Sequence, residues 1–173
     1  QRPGNAGFWV SVNVAPAQLR DPNLADRFIA VTQATGVSPG CVKLEITESA
    51  LEHGLDDVSE VIERLAAAGF PLALDDFGTG YSSLGRLIHM PFDVVKVDRT
   101  FVWQTPDGRG AGVVASLSQL SSHLQLHALG EGVETAAHET FLRDCNYRYA
   151  QGFYYARPMA AADFEAWSGW EAE

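Results

Sequence analysis

The chain has 173 residues, of which 46% are hydrophobic, and a net charge of −10 from 22 acidic and 12 basic residues. This composition supports one folded domain with a sizeable core, and it argues against binding to nucleic-acid polymers or anionic membranes, which need basic surface. No apolar run approaches the roughly 20 residues that span a bilayer. Two isolated cysteines, Cys41 and Cys145, favour a reducing compartment such as the cytoplasm.

Short apolar runs alternate with longer amphipathic segments along the chain. The apolar runs predict six strands, at residues 8–14, 42–46, 72–74, 94–97, 126–129 and 149–151. The other segments predict helices, at residues 22–35, 55–68, 84–89, 113–124, 136–144 and 161–167. Asp21 and Thr135 are expected to cap two helices, Gly36 to end one, and the proline- and glycine-rich residues 105–112 to form a loop.

Strands that alternate with helices predict parallel pairing through right-handed crossovers. Both an open doubly wound sheet and a barrel fit this pattern, and polar residues at the carboxyl ends of many successive strands favour the barrel. A closed barrel of this kind has eight strands, whereas six are predicted here. We therefore expect a single domain over residues 1–173 that is either open or an incomplete (β/α)8 barrel. The first residues lead straight into a strand, so the missing strand–helix units are expected to be amino-terminal.

The most informative segment is DDFGTGYSSL at residues 75–84, which follows an apolar run. Adjacent Asp75 and Asp76 at the end of a buried strand repel each other, and a divalent cation removes that cost. Paired carboxylates are the usual ligands of Mg²⁺ and Mn²⁺. A lone pair of aspartates more often opens a surface turn, so the metal-site interpretation depends on the other strand ends.

Every predicted strand carries or leads into a polar residue near its carboxyl end. In chain order these residues are Asn13; Glu45 and Glu48; Asp75 and Asp76; Lys96 and Asp98; Glu131 and Glu134; and Gln151. Because the carboxyl ends of parallel strands meet at one rim, we expect the side chains to form one site. A lysine between two valines in a buried strand would orient or deprotonate a water there, or form a structural ion pair with an aspartate.

These segments, in their order and spacing, resemble the EAL-domain family of bacterial phosphodiesterases, which open the second messenger cyclic di-GMP to linear pGpG. The matching segments are SVNV at 11–14, LEITES at 44–49, DDFGTGYSSL at 75–84, VKVDR at 95–99, EGVET at 131–135 and QGF at 151–153. The resemblance extends from about residue 8 to residue 167. It implies a TIM-barrel-like (β/α)8 fold that is incomplete here, with about six of its eight strands.

The resemblance also implies a two-metal site. The ligands of two Mg²⁺ or Mn²⁺ ions would be Asn13, Glu45, Asp75 and Asp76, with Asp75 as the expected bridging ligand. Two ions a few ångströms apart supply a hydroxide-like nucleophile, neutralise phosphate charge and stabilise a leaving alkoxide. They would also allow a chain of charge −10 to bind a doubly anionic substrate.

The remaining rim residues take supporting roles by the same resemblance. Lys96 and Glu131 would position and activate the attacking water, and Glu134 and Gln151 would support the network of metal and water. Glu48 would anchor the loop that follows Asp76, which in this family couples substrate and metal binding to dimerisation.

Two further residues, Asp98 and Tyr81, are candidates for contact with the substrate, and Tyr81 alternatively for contact with a partner subunit. The expected partners are cyclic di-GMP, a second copy in a homodimer, and sensory or GGDEF-type domains in a longer parent chain. The expected location is the cytoplasm, with a parent protein that is either free or anchored to a membrane.

One departure from the family pattern leaves two functions open. The family is named for a Glu-Ala-Leu signature on an early strand, whose glutamate is a metal ligand and whose nearby arginine contacts phosphate. No such segment is present, since Glu165-Ala166 and Glu171-Ala172 lie at the wrong end and are not followed by leucine. The missing region matches the two missing strands. The chain is therefore expected to be part of a cyclic di-GMP phosphodiesterase, or else a catalytically inactive EAL-like module that binds cyclic di-GMP or a protein.

Overall fold

The structure, a computed structural model of the chain, describes residues 8–51, 55–78 and 84–168. The strands are β1 (Val10–Val14), β2 (Val42–Thr47), β3 (Leu72–Phe77), β4 (Val94–Val97), β5 (His127–Gly130) and β6 (Tyr149–Ala150). The α-helices are α1 (Pro16–Leu19), α2 (Leu24–Thr35), α3 (Leu55–Ala67), α4 (Leu84–Leu87), α5 (Arg99–Val102), α6 (Arg109–His123), α7 (Ala136–Asp144) and α8 (Ala161–Ser168). Short 3₁₀ helices span Pro39–Cys41 and Glu48–Leu51.

All six strands belong to one parallel sheet whose spatial order is the chain order, β1 to β6. A doubly wound sheet reverses its strand order at a switch point, whereas a barrel adds each strand beside the last. The described residues therefore form a half-barrel, and the predicted incomplete TIM-barrel-like fold is confirmed. Within the described part of the chain, no helix is long and apolar enough to cross a membrane.

The two faces of the sheet have different neighbours. Outward-facing residues of β2, β3 and β4 form the main core with the apolar face of α3. This core includes Leu44, Ile46, Leu72, Leu74, Val95, Val58, Ile62 and Leu65, all at most 2% exposed. Inward-facing Ala73, Val94 and Leu129 form a smaller cluster with Tyr149 in the interior of the half-barrel. Burial on both faces explains why the strands read as nearly continuous apolar runs.

The amino end of the half-barrel is closed by an aromatic pair that holds a lysine. The ring of Trp9, just before β1, lies 5.2 Å from the ring of Tyr149 on β6 at 75°. Lys43 on β2 is 6% exposed, and its Nζ lies 4.0 Å and 5.0 Å from the centroids of these two rings. The sheet is therefore so strongly curved that the residue before its first strand contacts a residue on its last strand. We call these three residues the floor.

Most predicted elements are confirmed, with bounds that shift by at most four residues. Asp21 is not the cap of α2, because Asn23 holds that position and Asp21 Oδ1 instead accepts a hydrogen bond from the Asn23 backbone N–H at 2.9 Å. Thr135 does cap α7, where its side chain accepts from the His138 backbone N–H, and Gly36 ends α2 with φ +69°. The sequence did not predict α1, α5 or the two 3₁₀ helices.

The predicted loop 105–112 is wrong from residue 109 onward, where α6 begins. A Cβ at Gly110 would lie 2.4 Å from the carbonyl oxygen of Phe101. The glycine therefore allows α6 to approach α5 closely. From composition alone, a glycine with this packing role is indistinguishable from a turn residue.

Gly152→Ala is expected to destabilise the fold by about 3 kcal/mol, at the upper end of the usual cost of overpacking. A Cβ at this position would lie 2.1 Å from the carbonyl oxygen and 2.3 Å from the nitrogen of Val133, and backbone cannot move aside as a flexible side chain can. Urea denaturation followed by circular dichroism measures the change. Gly112→Ala is the matched control, since its Cβ would meet nothing within 4 Å on helix α6 and should stabilise by up to about 1 kcal/mol. Equal stability of Gly152→Ala and the unaltered chain would contradict this packing.

Candidate active site at the carboxyl ends of the strands

The strand register places five of the predicted rim residues on the inner face of the half-barrel. Asn13 pairs with Glu45, and Glu45 pairs with Ala73, two residues before Asp75. Lys96 pairs with Leu129, two residues before Glu131. Because side chains alternate between faces with a period of two, these residues point to the same side of the sheet.

Lys96 is the centre of the site. It is 3% exposed, and its Nζ lies 2.7 Å from Glu45 Oε2, 2.9 Å from Asp75 Oδ1 and 2.8 Å from Glu131 Oε1. Three strands therefore deliver one carboxylate each to a single ammonium group. The ion pair that the sequence left as an alternative for Lys96 is present, and it involves three acids.

The pKa values follow from this geometry. Burial alone would lower the pKa of Lys96, but its hydrogen bonds to Glu131 and Glu45 outweigh burial and raise the pKa above its ordinary value. Burial raises the pKa of Glu131, although its hydrogen bond to Lys96 opposes the increase. The lysine is therefore charged near neutral pH.

Asp76 reaches the site through an irregularity in β3. Leu74 pairs with Val95 and Phe77 pairs with Val97, so β3 contains one residue more than β4 over this stretch. Asp76 is the residue with a positive φ, +58°, and its backbone N–H donates to Asp75 Oδ1 at 3.0 Å. In a regular strand, neighbouring aspartates would point to opposite faces. The bulge instead brings oxygens of Asp75, Asp76 and Glu131 within 4.8 Å of one another.

The charge around Asp76 is predominantly negative. Burial, then the nearby carboxylates of Asp75 and Asp98, raise the pKa of Asp76. Closely spaced carboxylates with oxygen ligands to offer are the donor set that Mg²⁺ and Mn²⁺ prefer. The cluster of Asp75, Asp76 and Glu131 therefore fits a divalent cation.

Glu48 contacts the residue that directly follows β3. It is 8% exposed, and its Oε2 accepts a hydrogen bond from the Gly78 backbone N–H at 3.3 Å. Its Oε1 is buried without a hydrogen-bond partner among the described residues. Residues 79–83, including Tyr81, lie outside the described residues. The role of Glu48 as the anchor of this loop stays a prediction.

Four other predicted site residues stand apart from the lysine cluster. Asn13, Glu134 and Gln151 are exposed on the rim, and the backbone of Gln151 bonds to Gly130 and Val133. Asp98 caps α5, where its Oδ1 accepts from the backbone N–H of Thr100 at 2.9 Å. A capping role for Asp98 was not expected, and an aspartate followed by a helical turn was the available signal.

The parallel strands in chain order define a (β/α)-barrel fold. The acidic residues that surround one buried lysine at its carboxyl rim form a candidate cation site. The EAL domain model matches residues 1–158, and the chain is a member of the EAL domain family. The resemblance seen in the sequence is therefore confirmed. That family match extends across the six segments that first indicated it.

Similar proteins are named cyclic di-GMP phosphodiesterases. NbdA of Pseudomonas aeruginosa is 34% identical over 163 residues, which are 94% of this chain and 21% of that protein. RocR of the same organism is 37% identical over 156 residues, covering 90% of this chain and 40% of RocR. The chain thus spans about a fifth to two fifths of the length of these relatives.

Solved structures show the same fold. The PaMucR phosphodiesterase in complex with c-di-GMP superposes with a TM-score of 0.87 at 34% identity, over 92% of this chain and 71% of that one. A manganese and cyclic di-GMP complex of Klebsiella pneumoniae BlrP1 matches 87% of this chain and 39% of BlrP1, with a TM-score of 0.78 at 32% identity. A calcium complex of BlrP1 matches equally well in identity and coverage.

Proposed function

We propose that this domain, joined to a segment that supplies the Glu-Ala-Leu signature, hydrolyses cyclic di-GMP to pGpG with two Mg²⁺ or Mn²⁺ ions. The observation that carries the proposal is the inward cluster of Asp75, Asp76 and Glu131 beside buried Lys96. The names of NbdA and RocR and the c-di-GMP complex of PaMucR support cyclic di-GMP as the substrate.

Asp75 and Asp76, with Glu45 and Asn13 on the neighbouring strands, would hold the ions. Bound ions of this kind neutralise phosphate charge and activate water for in-line attack. The ammonium group of Lys96 is surrounded by three carboxylates, so it would orient groups by donating hydrogen bonds.

Glu131 pairs with Lys96 and lies in the cluster with Asp75 and Asp76, so it would stand beside the ions and, with Lys96, position and activate the attacking water. Glu134 and Gln151 would extend the polar network at the exposed rim, and Glu48 would hold the loop after β3 through Gly78. Asp98 and Tyr81 are proposed to contact the substrate.

Partners and location are proposed on the same basis. P. aeruginosa MucR, which is 35% identical to this chain, is named a bifunctional diguanylate cyclase and cyclic di-GMP phosphodiesterase. A cyclase-type or sensory domain in the parent protein, a homodimer, and a cytoplasmic location of the domain are consistent with such an organisation.

The second candidate function is an inactive module that binds cyclic di-GMP or a protein. It is favoured by one observation: in the described residues, β1 and β6 each have a strand partner on one side only. Unpaired edges attract other strands. Residues 1–173 purified alone are therefore expected to associate, bind metal weakly and hydrolyse little.

The deciding experiment compares residues 1–173 with the natural chain extended upstream by about 80 residues, the size of two strand–helix units. We expect the longer chain to convert cyclic di-GMP to pGpG with Mg²⁺ or Mn²⁺ and to be inhibited by Ca²⁺, which prefers more ligands in a looser geometry. Chromatography of the nucleotide products measures turnover. If the longer chain yields no pGpG with either activating metal but binds the nucleotide, the inactive-module function is correct.

A further inference from the structure

A tryptophan outside the acidic cluster contacts the backbone that carries Glu131. Trp103 follows α5 and is 46% exposed, yet its indole Nε1 donates a hydrogen bond of 2.9 Å to the carbonyl oxygen of Gly132. An exposed indole could satisfy its N–H with water at no structural cost. Here the donor is used on the residue immediately after Glu131.

The turn at Gly132 is built for this contact. Its φ is +68°, in the left-handed region, and a Cβ there would lie 2.4 Å from Arg99 Cβ and 3.2 Å from Trp103 Nε1. Both side chains approach the turn because the glycine leaves it open. Gly132 is therefore packed directly against α5 and the residue that follows it.

The indole is also held from its other side. The guanidinium carbon of Arg99 lies 5.1 Å from the centroid of the Trp103 ring, within the range of a cation–π contact. The described contacts of the indole are therefore the Gly132 carbonyl and the Arg99 guanidinium.

The consequence concerns Glu131, whose orientation has three restraints. Its backbone N–H donates to the Val97 carbonyl at 3.1 Å, and its side chain pairs with Lys96. The Trp103 bond holds the next peptide group along, between Gly132 and Val133, whose N–H also donates to the Gln151 carbonyl at 2.9 Å. Loss of the Trp103 bond would leave that peptide held through its N–H alone, with the two direct restraints on Glu131 in place.

We propose that Trp103 is a positioning residue for Glu131, acting through the carbonyl of Gly132. The inference rests on the proposed metal-dependent function of this rim. It concerns a residue that touches neither the acidic cluster nor its lysine in the described contacts.

The test is a double-mutant cycle read by Mn²⁺ affinity, measured by calorimetry on the upstream-extended chain. Trp103→Phe keeps an aromatic ring over which Arg99 can stack but lacks the donor. Replacing Trp103 with 3-benzothienylalanine keeps the shape and changes only the N–H to sulfur. Glu131 belongs to the carboxylate cluster with Asp75 and Asp76, so misplacing its carboxylate should weaken Mn²⁺ binding. Both changes are expected to weaken it about three- to tenfold, and neither should weaken it further in a Glu131→Gln background.

Trp167→Phe is the control, because Trp167 is an exposed tryptophan on α8 whose described ring partner is Phe164. It should leave Mn²⁺ affinity unchanged. Unchanged affinity in either Trp103 variant, or equal losses with and without the Glu131 carboxylate, would overturn the proposal. The experiment measures metal binding and does not need turnover. If the protein binds Mn²⁺ but forms no pGpG, the proposed hydrolysis is wrong, and the affinities of the Trp103 variants still show whether Trp103 positions Glu131.

Where turnover is measurable, the same variants provide a kinetic check. A positioning role predicts about a tenfold lower kcat with KM changed by less than twofold and with the thermal midpoint unchanged. A parallel loss of stability and of both kinetic constants would show that Trp103 only supports the fold.

Discussion

Asp75→Asn is expected to abolish hydrolysis of cyclic di-GMP in the upstream-extended chain. Asp75 lies at the junction of the site: its Oδ1 is 2.9 Å from Lys96 Nζ, and its carboxylate belongs to the cluster with Asp76 and Glu131. Replacing a carboxylate oxygen with an amide removes a unit of negative charge and half of its ligand capacity. Turnover should fall at least 10³-fold, about 4 kcal/mol in the barrier, and Mn²⁺ affinity should fall with it.

Glu48→Ala is the companion variant. Glu48 contacts the backbone of Gly78 and is not a member of the Asp75 cluster. Its loss should loosen the loop after β3 and reduce turnover while leaving Mn²⁺ affinity close to that of the unaltered protein. Calorimetry that gave the same Mn²⁺ affinity for Asp75→Asn and the unaltered chain would remove Asp75 from the proposed ligand set.

Lys96→Met should destabilise the metal-free protein by about 3–5 kcal/mol, the usual cost of breaking a buried ion pair from one side. The change leaves the carboxylates of Glu45, Asp75 and Glu131 together without their common cation. A divalent ion can replace the lost positive charge, so Mn²⁺ should raise the thermal midpoint of this variant more than that of the unaltered protein.

The pH dependence of that variant has a definite sign. Burial raises the pKa of Glu131, and the opposing hydrogen bond is lost with the lysine, so the folded state binds more protons than the unfolded state. Stability is then lost as the pH rises through that raised pKa, and the deficit is largest at neutral pH. Thermal denaturation of the metal-free protein across mildly acidic and neutral buffers measures it, and a deficit that grew on acidification would contradict the assignment.

Lys43→Met is the matched control, since Lys43 is the other buried lysine of the inner face. Burial lowers the pKa of Lys43, whereas hydrogen bonding raises that of Lys96. The charge of Lys43 is therefore not expected to contribute to the stability of the fold. Methionine keeps an aliphatic side chain of similar length to pack on Trp9. Its effect on stability should be less than 1.5 kcal/mol, as for volume-conserving core changes.

The layout of the site could be predicted from the sequence, because side chains alternate between the two faces of a strand and all the strands run in the same direction. Glu45, Lys96 and Glu131 lie near the ends of apolar runs, and parallel strands bring such ends to one rim. A shared site for the carboxylates of Asp75 and Asp76 was predicted from the cost of holding two like charges together. The bulge that brings them together, with Asp76 at φ +58°, depends on the pairing with β4 and cannot be recognised from local composition.

What the sequence could not show were contacts between distant segments. The start of α6 was missed because Gly110 accommodates Phe101, and that close packing is visible only once two helices meet. Trp103 is not part of a recognisable motif. Its bond to Gly132 joins residues that are 29 apart in the chain, so local sequence does not predict it. Lys43 looked like one more strand residue, because its aromatic neighbours come from the two edges of the sheet.

The floor has a consequence for how the chain folds. Trp9 and Tyr149 lie near opposite ends of the described sequence, so their contact closes a loop that contains nearly all the intervening strands and helices. Closing so long a loop is entropically costly until the intermediate strands have shortened it by pairing. We expect this contact to form after the folding transition state, so that weakening it accelerates unfolding and leaves the folding rate nearly unchanged. During synthesis on the ribosome, the curvature of the half-barrel would then become permanent only when its last strand emerges.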